Sequence, residues 1–249
     1  MSPRPLSVIT GGTRGIGAAT ALRLAADGHD LVLGFREDTE AAEECRLAVE
    51  DAGARCQLVR VDVTEPGGIE RLFAHAAEHG TVTGVVNCAG ATFRLATLAE
   101  TPVHVIHDSV ALNLSAALLC ARAAVHAMGT TYGGRGGVLV NLSSAAATLG
   151  APGEYVHYAA AKAGVDALTV GLAQEVAADG VRVVAVAPGI IRTGIHAAAG
   201  DAGRAERVGA QVPLGRAGDP AEVADAIAWL MSPEASYVTG TTLRVGGGR

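Results

Sequence analysis

Five residues in from its N-terminus the chain reads Leu6-Ser7-Val8-Ile9-Thr10-Gly11-Gly12-Thr13-Arg14-Gly15-Ile16-Gly17. The first five form a short, largely apolar run closed by glycine, the pattern of a buried strand. The glycines at 11, 15 and 17 let the backbone turn tightly and come close to a ligand. The Ala/Leu-rich sequence that follows is helical in character, so Gly15 opens a helix whose first N–H groups have no internal partner and carry partial positive charge. Strand, glycine loop and helix in that order make a seat for a pyrophosphate. The spacing here is G-x-x-x-G-x-G, and a glycine-rich turn with no ligand is the plainer alternative.

Outward from this stretch, strand-like runs alternate with helical ones. Strands are expected at Leu6–Thr10, Asp30–Phe35, Gln57–Val61, Thr83–Asn87, Gly137–Leu142, Val181–Ala187 and Thr241–Val245. Helices are expected at Gly15–Asp27, Glu37–Ala52, Gly67–Glu78, Val103–Met128, Tyr155–Ala178 and Pro220–Met231, with Thr193–Gln211 irregular. Such alternation predicts the α/β class: one domain, 1–249, built on a doubly wound parallel sheet with helices on both faces and the ligand crevice at the carboxyl ends of the strands. No linker or repeat divides it; the glycine-rich stretch Gly129–Gly137 reads as a loop.

Composition narrows the function. The 249 residues carry a net charge of −6, which leaves no basic footprint for nucleic acid. No run of 18 uninterrupted apolar residues predicts a membrane span, and Met1–Pro5 lacks the layout of an export signal. Cys45, Cys56, Cys88 and Cys120 show no C-x-x-C spacing. They read as free thiols of a cytoplasmic protein, and the sequence predicts no metal site in the chain.

Of the 19 Lys and Arg residues only one is lysine, Lys162. Either drift left one behind, or this position needs an ammonium whose charge can be tuned, which arginine cannot offer. Lys162 stands four residues after Tyr158, one helical turn along the same face. A tyrosine titrates near 10 and is a poor base at neutral pH; an ammonium beside it would lower that value and let it exchange a proton with a substrate. Ser143 and Ser144 lie at the end of a strand, where one hydroxyl could stabilise charge on a substrate oxygen and the other cap the next element. At the other end of the expected crevice, the second strand finishes Gly34-Phe35-Arg36. Arg14 and Arg36 would suit the 2′-phosphate of NADPH, whereas NAD sites usually put a carboxylate there. The competing reading makes Arg36 a solvated charge and gives the ribose to Glu37 or Asp38.

Taken together the motifs resemble those of the short-chain dehydrogenases/reductases, over nearly the whole chain. They are Thr10–Gly17, Asp62 within Val61-Asp62-Val63, Asn87-Cys88-Ala89-Gly90, Asn113 within Leu112-Asn113-Leu114, Ser144, Tyr158-x-x-x-Lys162, and Pro188-Gly189-Ile190-Ile191-Arg192-Thr193. The nearest likeness is to the 3-oxoacyl-thioester reductase and glucose-dehydrogenase-like branch. The resemblance implies a Rossmann-type fold with Tyr158 as proton donor and Ser144 polarising the carbonyl. Lys162 would bind the nicotinamide ribose and lower the tyrosine pKa, and Asn113 would hold a water linking Lys162 to solvent. It implies that Gly11, Thr13, Arg14, Gly15, Ile16, Gly17 and Arg36 surround the phosphates. Asp62 and Val63 would meet the adenine, Asn87, Ala89 and Gly90 the adenosine ribose, and Pro188, Gly189, Ile191 and Thr193 the nicotinamide.

The pattern is not followed everywhere. Cys88 stands where relatives often have a second asparagine, and the gap from Ser144 to Tyr158 is one residue longer than usual, which keeps Ser143 open as the alternative. Arg244 replaces an acidic residue and has no functional explanation in the sequence. The substrate wall is expected from Ala91, Thr92, Ala145, Ala146, Tyr155, Ile190 and the segment 194–212, a mobile lid in which His196 is read as exposed. The resemblance also implies a homotetramer through Val103–Met128 and Tyr155–Ala178. The leading expectation is an NADPH-dependent reductase of a small or carrier-bound ketone. Its alternatives are an alcohol or sugar dehydrogenase running oxidatively with NAD(H) or NADP(H), and a non-catalytic dinucleotide-sensing regulator. A methyltransferase would leave Tyr158, Lys162 and Asn113 without a task.

Overall fold

The structure, a computed structural model, describes residues 4–249. Seven strands form one fully parallel sheet in the order β3-β2-β1-β4-β5-β6-β7: β1 Leu6–Thr10, β2 Asp30–Phe35, β3 Cys56–Arg60, β4 Val82–Asn87, β5 Gly137–Leu142, β6 Val181–Pro188 and β7 Thr242–Val245. The order turns back between β1 and β4, so the crevice of a doubly wound sheet opens above their carboxyl ends.

Both sheet faces are covered, and side chains alternate between them as the pleat requires. Ile9, Leu33, Val86, Val140 and Val184 pack with helices α1 (Gly15–Ala26), α2 (Thr39–Asp51) and α10 (Pro220–Met231). Their neighbours Val8, Val32, Val85, Leu139 and Val183 pack on the opposite face with α3 (Gly68–His79), α5 (Ala116–Met128) and α7 (Val156–Val176). Local chemistry sets the ends of these helices. Asp38 caps α2 by accepting from the Ala41 N–H at 3.1 Å. Asp219 and Glu222 form a reciprocal capping box ahead of Pro220 at the start of α10.

Four segments differ from the sequence expectation. The helix expected over Val103–Met128 is interrupted: α4 (Val103–Val110) gives way to a π-helical turn, Ala111–Ser115, before α5. This run is long and apolar enough to cross a membrane by length and composition alone, yet α5 buries Ala117, Cys120, Ala121, Ala124 and Met128 against the sheet. A short helix, α6 (Ala146–Leu149), occupies the loop between the serines and Tyr158. The stretch expected to be irregular contains α8 (Ile195–Ala198) and α9 (Arg204–Gly209). Pro188 ends β6, where its missing N–H faces the end of the ladder.

One row of polar side chains crosses the sheet near the carboxyl ends of its strands. Thr10, Asn87 and Asn141 are register partners on β1, β4 and β5. The Thr10 hydroxyl donates to Asn87 Oδ1 at 3.3 Å, Asn87 Nδ2 donates to Asn141 Oδ1 at 3.2 Å, and Asn141 Nδ2 donates to Thr169 Oγ1 on α7 at 3.1 Å. Thr169 in turn donates to the Val165 carbonyl. All four side chains are buried, so each depends on its neighbours for the hydrogen bonds that water cannot supply. Asn141→Ala removes the middle of the row and strands Asn87 and Thr169. It should cost about 2–4 kcal/mol by denaturant unfolding; a loss under about 0.5 kcal/mol would mean the row does not hold these elements together.

Candidate active site

The glycine loop is shaped by contact. A Cβ on Gly17 would lie 2.1 Å from the Gly11 carbonyl oxygen, so only glycine lets the first turn of α1 sit this close to the loop. Gly15, at φ +52°, has its α-carbon against Thr193, where a side-chain atom would come within 3.3 Å. Arg14 precedes the helix in an extended conformation and no side chain caps the first turn. The unpaired N–H groups of Gly15, Ile16 and Gly17 therefore point out of the helix end, the arrangement an anionic phosphate would satisfy. The Thr10 hydroxyl accepts from the backbone N–H groups of Cys88 and Ala89 at 3.0 and 3.1 Å, joining this loop to the end of β4.

Beside it lies a cleft of about 660 Å³, counting its open mouth, between Gly90, Ser143, Ser144, Tyr158, Lys162 and the Pro188–Thr193 segment. α7 supplies Tyr158 and Lys162, both buried. Lys162 Nζ lies 5.8 Å from the centre of the Tyr158 ring and donates to the Leu142 carbonyl at 2.6 Å. Ser144 lines the same cleft as Tyr158 and acts to lower its pKa. The serine pair divides its work: Ser143 donates to the Lys162 carbonyl at 3.4 Å, and Ser144 accepts from the Ala146 N–H at 3.1 Å as α6 begins while facing the tyrosine. The cleft wall is closed by a backbone approach. A Cβ on Gly90 would come within 2.9 Å of Asn113 Oδ1 and 3.4 Å of Lys162 Nζ.

Electrostatics departs from the sequence expectation. Burial pushes the Tyr158 hydroxyl up to about 12, against the lowering effect of its Ser144 hydrogen bond. Burial also brings Lys162 down to about 8. Desolvation disfavours both charged forms, so Tyr158 is raised where the sequence predicts a lysine neighbour to lower it. Tyr158 therefore holds its proton at neutral pH. Lys162 is poised to take or release one.

Other expected residues take different positions. Asn113 sits in the π-helical turn with its side chain committed: Oδ1 accepts from the Ala91 N–H at 3.2 Å, and Nδ2 donates to the carbonyls of Ala91 and Ser109. Asn87 is spent in the polar row and on the Ala117 carbonyl. Each side chain ties other parts of the fold together, and each amide oxygen keeps a second lone pair for a further partner. The Asp62 carboxylate accepts from the N–H and hydroxyl of Thr64 at 2.8 and 2.7 Å. Burial alone would raise it, but these bonds leave it below the usual carboxylate range. Val63 is buried beside it. Arg14 and Arg36 flank the ends of β1 and β2; Arg14 faces Asp38 at 3.5 Å and Arg36 faces Glu37 at 2.9 Å, all four well exposed. Ala91 does not line the cleft, and Ala145 and Ala146 line a smaller neighbouring hollow. Cys88 lines the cleft, and burial pushes its thiol up to about 11.

Residues that the sequence left unassigned, or assigned otherwise, help to hold the walls. His196 is buried, with its Nε2 3.1 Å from the Ile191 carbonyl, and lines the cleft rather than facing solvent. Burial lowers its pKa. Arg204 of α9 is buried too; it donates to Glu154 at 2.7 Å and to the Tyr155 hydroxyl at 3.2 Å, docking the segment expected to be a mobile lid. Tyr155 meets the Tyr158 ring edge-on at 5.5 Å. Arg244 donates to the Thr148 hydroxyl of α6 and to the carbonyl of Arg249, which gives this departure a structural task. Arginines are common in this chain, so nothing in the sequence separates Arg204 from those on the surface.

A family profile described as "Enoyl-(Acyl carrier protein) reductase" matches residues 11–249. The chain belongs to the short-chain dehydrogenase/reductase family. It is 40% identical over 245 residues to the "Uncharacterized oxidoreductase YgfF" of Escherichia coli (strain K12), covering 98% of this chain and 99% of that one. It is 38% identical over 245 residues to the E. coli "3-oxoacyl-[acyl-carrier-protein] reductase FabG", covering 98% and 96%. A solved short-chain dehydrogenase from Burkholderia cenocepacia J2315 in complex with NADP superposes with a TM-score of 0.89 at 30% identity, covering 98% and 97%. This dehydrogenase/reductase is thus an NAD(P)-dependent oxidoreductase. The glycine loop, the uncapped helix end and the adjoining cleft lined by Gly90 and Lys162 fit a nicotinamide dinucleotide.

The buried lysine has a consequence for stability. Its folded pKa lies below its ordinary 10.5, so between about pH 8 and 10.5 the unfolded chain binds more protons than the folded one. The charged lysine therefore holds stability back below pH 8, and the loss is regained as the pH rises through that window. Lys162→Met should be more stable than the parent at pH 7, by on the order of 1–3 kcal/mol, with the difference closing toward pH 10.5. A difference that stays flat across that window in paired melts would mean the ammonium is not penalised by burial.

Proposed function

We propose that this short-chain dehydrogenase/reductase reduces a ketone, of the 3-oxoacyl or a similar type, to a secondary alcohol with NADPH. The observation that carries the reading is the buried Tyr158, with Lys162 Nζ 5.8 Å from the centre of its ring and Ser144 lining the same cleft. When bound, the nicotinamide supplies a hydride to the carbonyl carbon. Tyr158 gives its phenolic proton to the carbonyl oxygen, and the Ser144 hydroxyl donates a hydrogen bond to that oxygen as charge grows on it. Lys162 returns a proton to the tyrosinate, a task suited to a pKa of about 8. Gly90 lets the backbone pack closely against Asn113 and Lys162, and Asn113 pins the Ala91 backbone beside it. Arg204 keeps Tyr155 against Tyr158, so the proton donor is braced as well as buried.

NADPH is preferred to NADH in this reading because Arg14 and Arg36 stand at the ends of β1 and β2, where the ribose of a dinucleotide ends. A 2′-phosphate would compete with the exposed carboxylates of Asp38 and Glu37 for their guanidinium groups. Unpaired thiols at all four cysteines support a reducing compartment such as the cytoplasm. A homotetramer is supported by large apolar side chains exposed on α4, α5 and α7, namely Val103, Val110, Leu118, Leu119 and Val170. Light scattering at micromolar concentration should give four times the chain mass; a monomer would exclude that assembly.

Activity is tested by following NADPH consumption with an acetoacetyl thioester, with Tyr158→Phe beside the parent enzyme. The variant should lose at least 100-fold in kcat. Turnover surviving in the variant would show another proton donor, and no turnover in the parent would turn the reading to an alcohol or sugar substrate. In the same assay, Arg36→Ala should lower the ratio of kcat/KM for NADPH over NADH by about tenfold or more. An unchanged ratio would make Arg36 a solvated charge.

A further inference from the structure

At the far edge of the sheet from this cleft, α3 ends His75-Ala76-Ala77-Glu78-His79. The helix runs back from the carboxyl edge. Its last residue is followed by Gly80, which packs beside Leu6 at the start of β1, and then by Val82 at the start of β4. Positions 75, 78 and 79 share one helical face. Ligand atoms of the three side chains lie within 4.8 Å of one another.

We propose that His75, Glu78 and His79 form a binding site for one divalent transition-metal ion of the Zn²⁺ type. Two imidazoles four residues apart with a glutamate between them are a standard way for a helix to present ligands to zinc. The hydrogen bonds here select the ligand atoms. His79 Nδ1 lies 2.9 Å from the His75 carbonyl oxygen, which can only accept, so the proton of the neutral ring sits on Nδ1 and the lone pair on Nε2. That backbone bond is the outer-sphere contact that fixes a metal-binding histidine. Among the described residues His75 Nε2 is buried without a hydrogen-bond partner, an unmet polar atom that a metal would satisfy. Glu78 is exposed and free to rotate inward as a charged ligand. Metal bonds of about 2.0–2.2 Å bring tetrahedral ligands to roughly 3.4 Å apart, so a small closure of these side chains completes three positions and leaves the fourth to water. The helix C-terminus adds partial negative charge beneath the ion.

The four thiols offer little competition, since burial pushes each of them up to about 11 or 12. The absence of a metal expected from cysteine spacing does not bear on this site, which contains no cysteine. Its place at the amino edge of the sheet makes it a clamp on the end of α3 and separates it from hydride transfer.

Zn²⁺ titration by calorimetry into chelator-treated, untagged enzyme tests this directly. One ion per chain should bind, with affinity at least tenfold weaker in His75→Ala and in His79→Ala, and several-fold weaker in Glu78→Gln. Zn²⁺ should raise the Tm of the parent and leave the Tm of either histidine variant unmoved, and NADPH turnover should be the same in all four proteins. Substoichiometric binding by the parent, or binding unchanged in the two histidine variants, would overturn the site. A folding defect in a variant would appear as a lower Tm before any metal is added; the parent's stoichiometry and Tm shift then still decide. Because binding stoichiometry, affinity and Tm do not use the reaction, the site can fail or stand whatever the substrate proves to be.

Discussion

Four buried side chains, Thr10, Asn87, Asn141 and Thr169, carry a hydrogen-bonded row from the glycine loop across three strands to α7. An apolar core could hold the same sheet together, but it would leave the register of loop and helix less tightly specified. In a dry interior each of these groups must find its partner or lose the value of a hydrogen bond. The row therefore sets where the phosphate-binding end of the molecule lies relative to Tyr158 and Lys162. The same Thr10 hydroxyl also holds the backbone of Cys88 and Ala89, so the end of β4 and Gly90 are placed from the same origin.

Burial does the chemical work that charge was expected to do. Lys162 was read from the sequence as an ammonium lowering the pKa of a neighbouring tyrosine. In the folded chain both groups are desolvated, and each is driven toward its neutral form: tyrosine upward, lysine downward. An acid that keeps its proton next to a base near neutrality is a suitable pair for proton delivery. The cost is a lysine that strains the fold at neutral pH. That the only lysine in 249 residues occupies this position agrees with a need for tunable charge that arginine, with its very high pKa, cannot meet.

The walls around the pair depend on residues of no obvious sequence character. Arg204, His196 and His157 each bond to backbone or side chains on other elements: Arg204 to Glu154 and Tyr155, His196 to the Ile191 carbonyl, His157 to the Thr92 carbonyl. They convert an Ala/Gly-rich segment, which composition alone marks as mobile, into a docked wall with two short helices. In the same way Arg244 acquires a role only because α6 brings Thr148 to it.

The sequence by itself determined the sheet, its helices and the central pair, because these rest on local periodicity: apolar runs bounded by glycine, and Tyr158 and Lys162 one turn apart. It also separated Ser143 and Ser144 as two hydroxyls for two tasks without saying which did which. Only the tertiary structure decided that, by putting Ser143 against the Lys162 carbonyl and Ser144 against Tyr158. It likewise gave Asn113 and Asn87 their buried hydrogen-bond partners, broke the long helix at a π-helical turn and buried His196. The physical reason is common to all of these. Strand and helix periods are written in neighbouring residues, whereas burial and hydrogen-bond partnership depend on how separate elements pack together, which nothing in a local pattern specifies.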